Sequence, residues 1–347
     1  MLTGCSNLHK SIKIDENTTY SLTDVVNLQS QIISPFIVFG DDIYVHTKDY
    51  VYSINSANWK INWRSKCPGY MRNSSLFVSK SFVFAPDKYG NIFQFDRLSG
   101  SQIRTYEISK WMPHVIRAID AIYSSGEILI VGYSGSTVIA WDISTGERIW
   151  DYGPTPKTYI YILGYDNKVV VGTNDSLQVL DLDTGILLKF LSITSPVSAL
   201  YNLSNNYFIF ITSKDEHSTI SVVNKDGLDI EKKIEINTNE VSCISKINEN
   251  IYLSGQGVFE LDNSFGSVKK ISDLDSLGCV SGINNKSLVS FEWSEKLVFL
   301  SKGDKAKTFS HNYYSNILMN LVLRIDPIVL GEYLLVPVGS NVYIYSE

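Results

Sequence analysis

The sequence predicts an all-β chain, an eight-bladed β-propeller of four-stranded antiparallel blades closed by an N-terminal strand that joins the C-terminal blade. Three observations predict it. Short apolar runs centre on Tyr44, Val83, Ile130, Val170, Ile209, Tyr252, Val289 and Leu335, at intervals of 37 to 47 residues, and are read as the first strand of each repeat. That spacing is the length of one propeller blade. A turn with an Asp or Asn at its start and a Gly near its end recurs between the runs, and the final repeat stops after about two strands.

Each element follows from local chemistry. The clearest unit runs from Gly126 to Gly153: a strand Ile128–Val131, a turn Gly132–Ser136, a strand Thr137–Asp142, a turn through Ser144-Thr145-Gly146 and a third strand. The recurring turn is Asp96–Gly100, Asp142–Gly146 and Asp181–Gly185, with degenerate copies at Asn55–Trp59 and Asn224–Gly227. Asp or Asn bonds the backbone just ahead of it, and Gly supplies the positive φ that ends the turn. Trp63 and Trp150 stand four residues beyond the Gly position, where a large ring suits the space between neighbouring blades. The last repeat offers YLLVPV and NVYIYS, and an unclosed edge invites aggregation. The segment Leu8 to Val26 can supply the missing outer strand, for example through Ser11–Ile14. The expected organisation is an N-terminal tail over 1–7 and one propeller domain over 8–347.

Composition narrows the classes. Hydrophobic residues are 44% and charged residues 19%, with 15 Phe, 6 Trp and 21 Tyr. That is enough for a large core and suits half-buried pleated surfaces. The net charge is −6 and no long Lys/Arg run occurs, which argues against nucleic acid held by phosphate contacts. No stretch has the roughly 20 apolar residues of a spanning helix; 190–213 is interrupted by Ser and Asn.

The unit Asp-x-x-Ser/Thr-Gly-x-x-x-Trp resembles the repeat of the quinoprotein-type β-propellers over roughly residues 40 to 347. That superfamily includes PQQ-dependent alcohol dehydrogenases and the non-enzymatic lipoproteins of the outer-membrane β-barrel assembly machinery. WD-repeat propellers share the Trp141-Asp142 pair but carry a Gly-His pair in each repeat, and this chain has none. The resemblance to PQQ enzymes implies an adjacent Cys-Cys pair, a calcium site and a longer chain; here Cys5, Cys67, Cys243 and Cys279 stand far apart. The last three are read as small apolar residues in or near strands. No zinc spacing, nucleophile elbow or phosphate loop occurs, and His9, His46, His114, His217 and His311 are widely separated. The carboxylate pairs Asp41/Asp42, Asp181/Asp183 and Asp273/Asp275 are read as solvated turn residues rather than calcium ligands. The expectation is therefore a scaffold with no catalytic residues, no cofactor and no metal. The alternatives are a quinone- or sugar-active enzyme and an intracellular WD-type scaffold.

The assembly-lipoprotein resemblance extends to the ends of the chain. Leu2-Thr3-Gly4-Cys5 resembles a lipobox, which makes Cys5 the expected lipid-attachment residue and the periplasmic face of the outer membrane the expected location. No basic region or apolar run precedes it, so the sequence as written would stay in the cytoplasm. The resemblance also implies that a Leu-x-Leu-Arg run on a loop entering a middle blade contacts the barrel-forming partner. Leu321-Val322-Leu323-Arg324 matches that run in the last repeat; Ile116-Arg117 is a looser copy entering the third. The inward residues of an inner strand would give the same Leu321/Leu323 pattern. The chain is expected to be a monomer that binds protein partners and touches the membrane only through its lipid.

Overall fold

The computed structural model describes residues 11–13, 19–69, 76–108, 119–134, 137–153, 159–238, 241–262, 264–275, 278–284, 287–291, 296–301, 308–312 and 325–347. These residues form eight antiparallel sheets and an all-β fold. The chain divides into two compact units, one of Ser30–Asn239 and one of Met1–Gln29 with Glu240–Glu347.

The first unit holds five sheets, each with four strands in sequence order. The third is typical: Ile119–Ser125, Ile128–Tyr133, Thr137–Asp142 and Arg148–Tyr152. Strand Thr137–Asp142 matches the sequence reading. Gly132 does not open the turn; it continues the strand and pairs with Val138. In these sheets the second strand is buried along most of its length. Ile43, Tyr44 and Val45 in the first sheet, Leu129, Ile130 and Val131 in the third, and Val169, Val170 and Val171 in the fourth are all fully buried. Buried on both faces, such a strand reads as an unbroken apolar run. The eight centres spaced along the sequence are therefore second strands, not first ones, and a less regular strand precedes each.

The other unit holds three sheets. The sixth sheet comprises Val241–Ile247, the long segment Asn250–Leu261 and Val268–Asp275. If Asn250–Leu261 were straight, Tyr252 and Glu260 would lie about 26 Å apart at ~3.3 Å per residue. Instead Tyr252 Oη donates to Glu260 Oε1 at 2.8 Å. The segment thus folds back on itself near Gly257, whose φ of 108° only glycine takes readily. It serves as two strands, which brings this sheet to four. Asp273 and Asp275 lie on its outer strand rather than in a turn, a correction to the sequence reading. Alternation of Lys and apolar residues along VKKISDLD is too weak to announce a strand.

The eighth sheet joins the chain ends in the order Ser11–Lys13, Thr19–Asn27, Asn341–Ser346, Tyr333–Val338, Ile328–Leu330. The closing strand is Thr19–Asn27, with Ser21 opposite Ser346 and Asn27 opposite Asn341. Ser11–Lys13 does not pair with the C-terminal strand; it adds a fifth strand outside, Ile12 opposite Tyr20. The longer run can span the whole of Asn341–Ser346, which a three-residue strand cannot. Ile12, Tyr20, Leu334, Val336 and Tyr345 pack with Val289, Leu297 and Phe299 of the seventh sheet.

Cys243 and Cys279 form a disulfide between the first strand of the sixth sheet and the segment entering the seventh. They are not the free apolar residues expected. Cys67 is free and buried, as the sequence reading has it.

Candidate functional site: the outer edges of the sheets

The three Asp turns end the third strands of the second, third and fourth sheets. Asp96 Oδ1 accepts from Ser99 N at 2.8 Å, Asp142 Oδ1 from Thr145 N at 2.7 Å, and Asp181 Oδ1 from Thr184 N at 2.9 Å. The backbone N–H groups of Gly100, Gly146 and Gly185 donate to the carbonyls of Asp96, Asp142 and Asp181. Hydrogen bonds led by Ser99 N, Ser144 Oγ and Thr184 Oγ1 hold the three carboxyls below the usual carboxylate range. The degenerate copies keep the geometry without glycine. Trp59 ends the Asn55 turn at φ 58°, and Leu228, not Gly227, takes the positive φ after Asn224. A further copy, Asp262 to Phe265, was hidden by being one residue shorter.

Four residues beyond the end of four of these turns, a side chain reaches the turn of the next sheet. Trp63 Nε1 donates to Arg97 O at 3.0 Å, and Trp150 Nε1 to Leu182 O at 2.9 Å. Arg104 Nη2 donates to Ser144 O at 2.7 Å, and Lys189 Nζ to Asp229 Oδ1 at 3.2 Å. Trp, Arg and Lys do one job by different chemistry, which is why spacing by the Trp alone found two of the four. The rings lie flat under the next glycine: a Cβ at Gly185 would stand 2.6 Å from Trp150. Gly185 also has φ 69°. Gly185→Ala is expected to cost about 2–3 kcal/mol in urea unfolding, combining overpacking with left-handed strain. A cost under about 0.5 kcal/mol would show that the ring yields freely.

The outer strands end their sheets and differ in what they expose. The fifth carries Glu231, Lys232, Lys233 and Glu235, and the sixth Lys269, Lys270 and Asp273. The fourth is Leu187–Ser192, LLKFLS. Leu188 is 50% exposed and Phe190 55%, two residues apart and so on one face; Ile186, 62% exposed, precedes the strand, beyond a β-bulge at Leu187–Lys189. The strand's single charge, Lys189, lies on the other face and is held by Asp229.

The sheet order, the Asp turns and the Trp rings beneath the next turn's glycine form one repeat. A family model described as outer membrane protein assembly factor BamB matches residues 19–158, which span the closing strand and the first three sheets. Over those residues the chain is similar to BamB. A BamB structure from Moraxella catarrhalis is 12% identical with TM-score 0.62, covering 94% of this chain and 100% of that one. A computationally designed protein, Ika8, is 16% identical with TM-score 0.68 over 92% and 98%. The Cps50 (Swd1) β-propeller domain of Myceliophteria thermophila is 12% identical with TM-score 0.54 over 79% and 96%. No curated protein sequence matches.

The described residues of this BamB-like chain do not fit the quinone cofactor of PQQ enzymes. Its disulfide joins residues 36 apart in sequence rather than an adjacent pair. Among the described residues, no group of three or more His, Cys, Asp or Glu could hold a metal ion. Asp42 does not stand free in a turn: it accepts from Asn62 Nδ2 at 2.7 Å and lies 3.6 Å from Arg97. Asp183 accepts from Asn167 Nδ2 at 2.9 Å. His217 is exposed beside Asn237. No helix among the described residues is long and apolar enough to cross a membrane. Cys5, Ile116, Arg117, Leu321, Leu323 and Arg324 lie outside the described residues.

His46 is structural. Its Nε2 lies 3.1 Å from Cys67 O, its backbone N–H donates to Ser34 Oγ, and its ring is fully buried. Burial lowers its pKa from 6.5 to about 4. Below pH 6.5 the unfolded chain takes up a proton that the folded one refuses, so this stability is present above 6.5 and drains away down to about 4. The urea midpoint should fall across that window by an amount equivalent to roughly 3 kcal/mol. His46→Gln should flatten the dependence; an unchanged slope would place the titration elsewhere.

Proposed function

We propose that this chain is a non-enzymatic interaction scaffold of the bacterial cell envelope. It sits on the periplasmic face of the outer membrane, held by lipid on Cys5, and aids assembly of outer-membrane β-barrel proteins beside their barrel-forming subunit. The observation that carries the reading is the match of residues 19–158 to the BamB family model. The Cys243–Cys279 disulfide supports the compartment, since such bonds persist where thiols are oxidised, as in the periplasm. The Leu321-Val322-Leu323-Arg324 run and Ile116-Arg117 are the proposed contacts with the subunit.

Co-purification from a bacterial envelope tests this reading. The tagged precursor should retain the barrel-forming subunit and incorporate labelled fatty acid, and Cys5→Ala should abolish the label. Arg117→Glu with Arg324→Glu should weaken capture about 10-fold or more, the loss of an interface anchor. Capture that survives both reversals moves the contact to another surface. Absence of any capture by the lipidated protein overturns the scaffold reading.

A further inference from the structure

We infer that the outer edge of the fourth sheet is a docking site for an uncharged extended strand, added to the sheet through its backbone. Leu187–Ser192 is the last strand of its sheet, so one side of its backbone has no strand partner among the described residues. Only another extended chain in the sheet plane can continue such a ladder. Leu188 and Phe190 line one exposed face at strand spacing, not helix spacing. An apolar edge of this kind is an aggregation risk, and proteins usually blunt it with charge. The fifth and sixth sheets do so with Lys and Glu; the third carries Arg148 and Asp151. On the fourth, Lys189 is turned away to Asp229, which leaves the exposed face without charge. A charged partner would be desolvated there without compensation, so the occupant is uncharged on that side. Alternating apolar and polar residues without charge on the apolar face characterise the strands of membrane β-barrels. The identification of the occupant as an unfolded barrel strand rests on the proposed function; the site itself does not.

The test uses the purified full chain and a fluorescent twelve-residue peptide alternating Val/Tyr with Thr/Ser. Saturable binding by anisotropy is expected. Leu188→Lys and Phe190→Lys should each weaken it about tenfold or more, while Ile103→Lys on the second sheet's edge should change it less than about twofold. If either Lys variant lowers the melting midpoint, Leu188→Thr or Phe190→Thr replaces it, since Thr keeps strand propensity. The same peptide N-methylated at alternate residues should not bind, because one side of its ladder is removed. Three outcomes overturn the inference: no binding by the unmodified peptide, equal binding by the methylated one, or equal binding by the Lys and Thr variants. Self-association of the protein that the same variants abolish would make a second copy the occupant, and would overturn it too. Capture of the barrel-forming subunit is read separately, so failure here leaves the scaffold reading standing, and the reverse.

Discussion

Loss of the Cys243–Cys279 bond is expected to destabilise the protein by about 3–4 kcal/mol. The two cysteines are 36 residues apart. Closing a loop of that length in the unfolded chain removes entropy equivalent to roughly 3–4 kcal/mol in the chain-entropy treatment. The folded state loses a tie as well. Cys243 lies on Val241–Ile247, the first strand of the sixth sheet, and Cys279 in the segment that enters Ser281–Asn284, the first strand of the seventh. Sheets stacked in this way hold one another mainly through nearest-neighbour contacts. The measurement is urea unfolding by far-UV circular dichroism with and without dithiothreitol, beside a Cys243→Ser, Cys279→Ser double variant. Reduction and the double variant should lower the midpoint together, and the variant should no longer respond to reductant. Cys67 is buried, with its thiol pKa pushed up by desolvation, so it should not react in the folded state. Equal midpoints in all four samples would show that the bond contributes nothing.

Trp150→Ala is expected to cost about 3–5 kcal/mol, the range for emptying a buried Trp site. The ring packs among Ile130, Val138 and Ala140 of its own sheet and Val169, Val171 and Leu180 of the next. Its removal opens a cavity between the third and fourth sheets and leaves the Leu182 carbonyl without its indole partner. Trp150→Phe separates the two effects. It keeps most of the apolar contact and loses the hydrogen bond, so about 1–2 kcal/mol is expected. Trp63→Ala should behave like Trp150→Ala, since Trp63 fills the same position between the first and second sheets. Ile149→Ala, on the same strand but exposed, should stay within about 0.5 kcal/mol. If Trp150→Ala costs no more than Ile149→Ala, the ring is not what joins these sheets.

The division between sequence and structure follows from the range over which each interaction acts. The eight repeats were legible because the second strand of each sheet is buried on both faces, and a doubly buried strand can only be an apolar run. The Asp turns were legible because each closes within five residues, so the donor, the acceptor and the positive-φ residue all stand in one short word. Where a variant kept the geometry with different residues, as at Leu228 or Phe265, the word was misread or missed. The exposed, paired and half-buried strands were not legible as such. Alternation in VKKISDLD or around Phe77–Val78 is too weak in so short a span.

Of the candidate site, the sequence marked Trp63 and Trp150 but not the equivalence of Arg104 and Lys189, because their shared role exists only against the next sheet's turn. The exposed edge at Leu188 and Phe190 was invisible for a related reason. A run of ILLKFL reads as core until the strand order places it last in its sheet among the described residues. By itself, then, the sequence determined the all-β repeat, the turns and the joining of the two chain ends. The tertiary structure alone decided which N-terminal strand closes the eighth sheet, that Cys243 meets Cys279, and which apolar strand faces solvent. Each of those depends on contacts between residues tens to hundreds of positions apart, and local composition holds no record of distance in space.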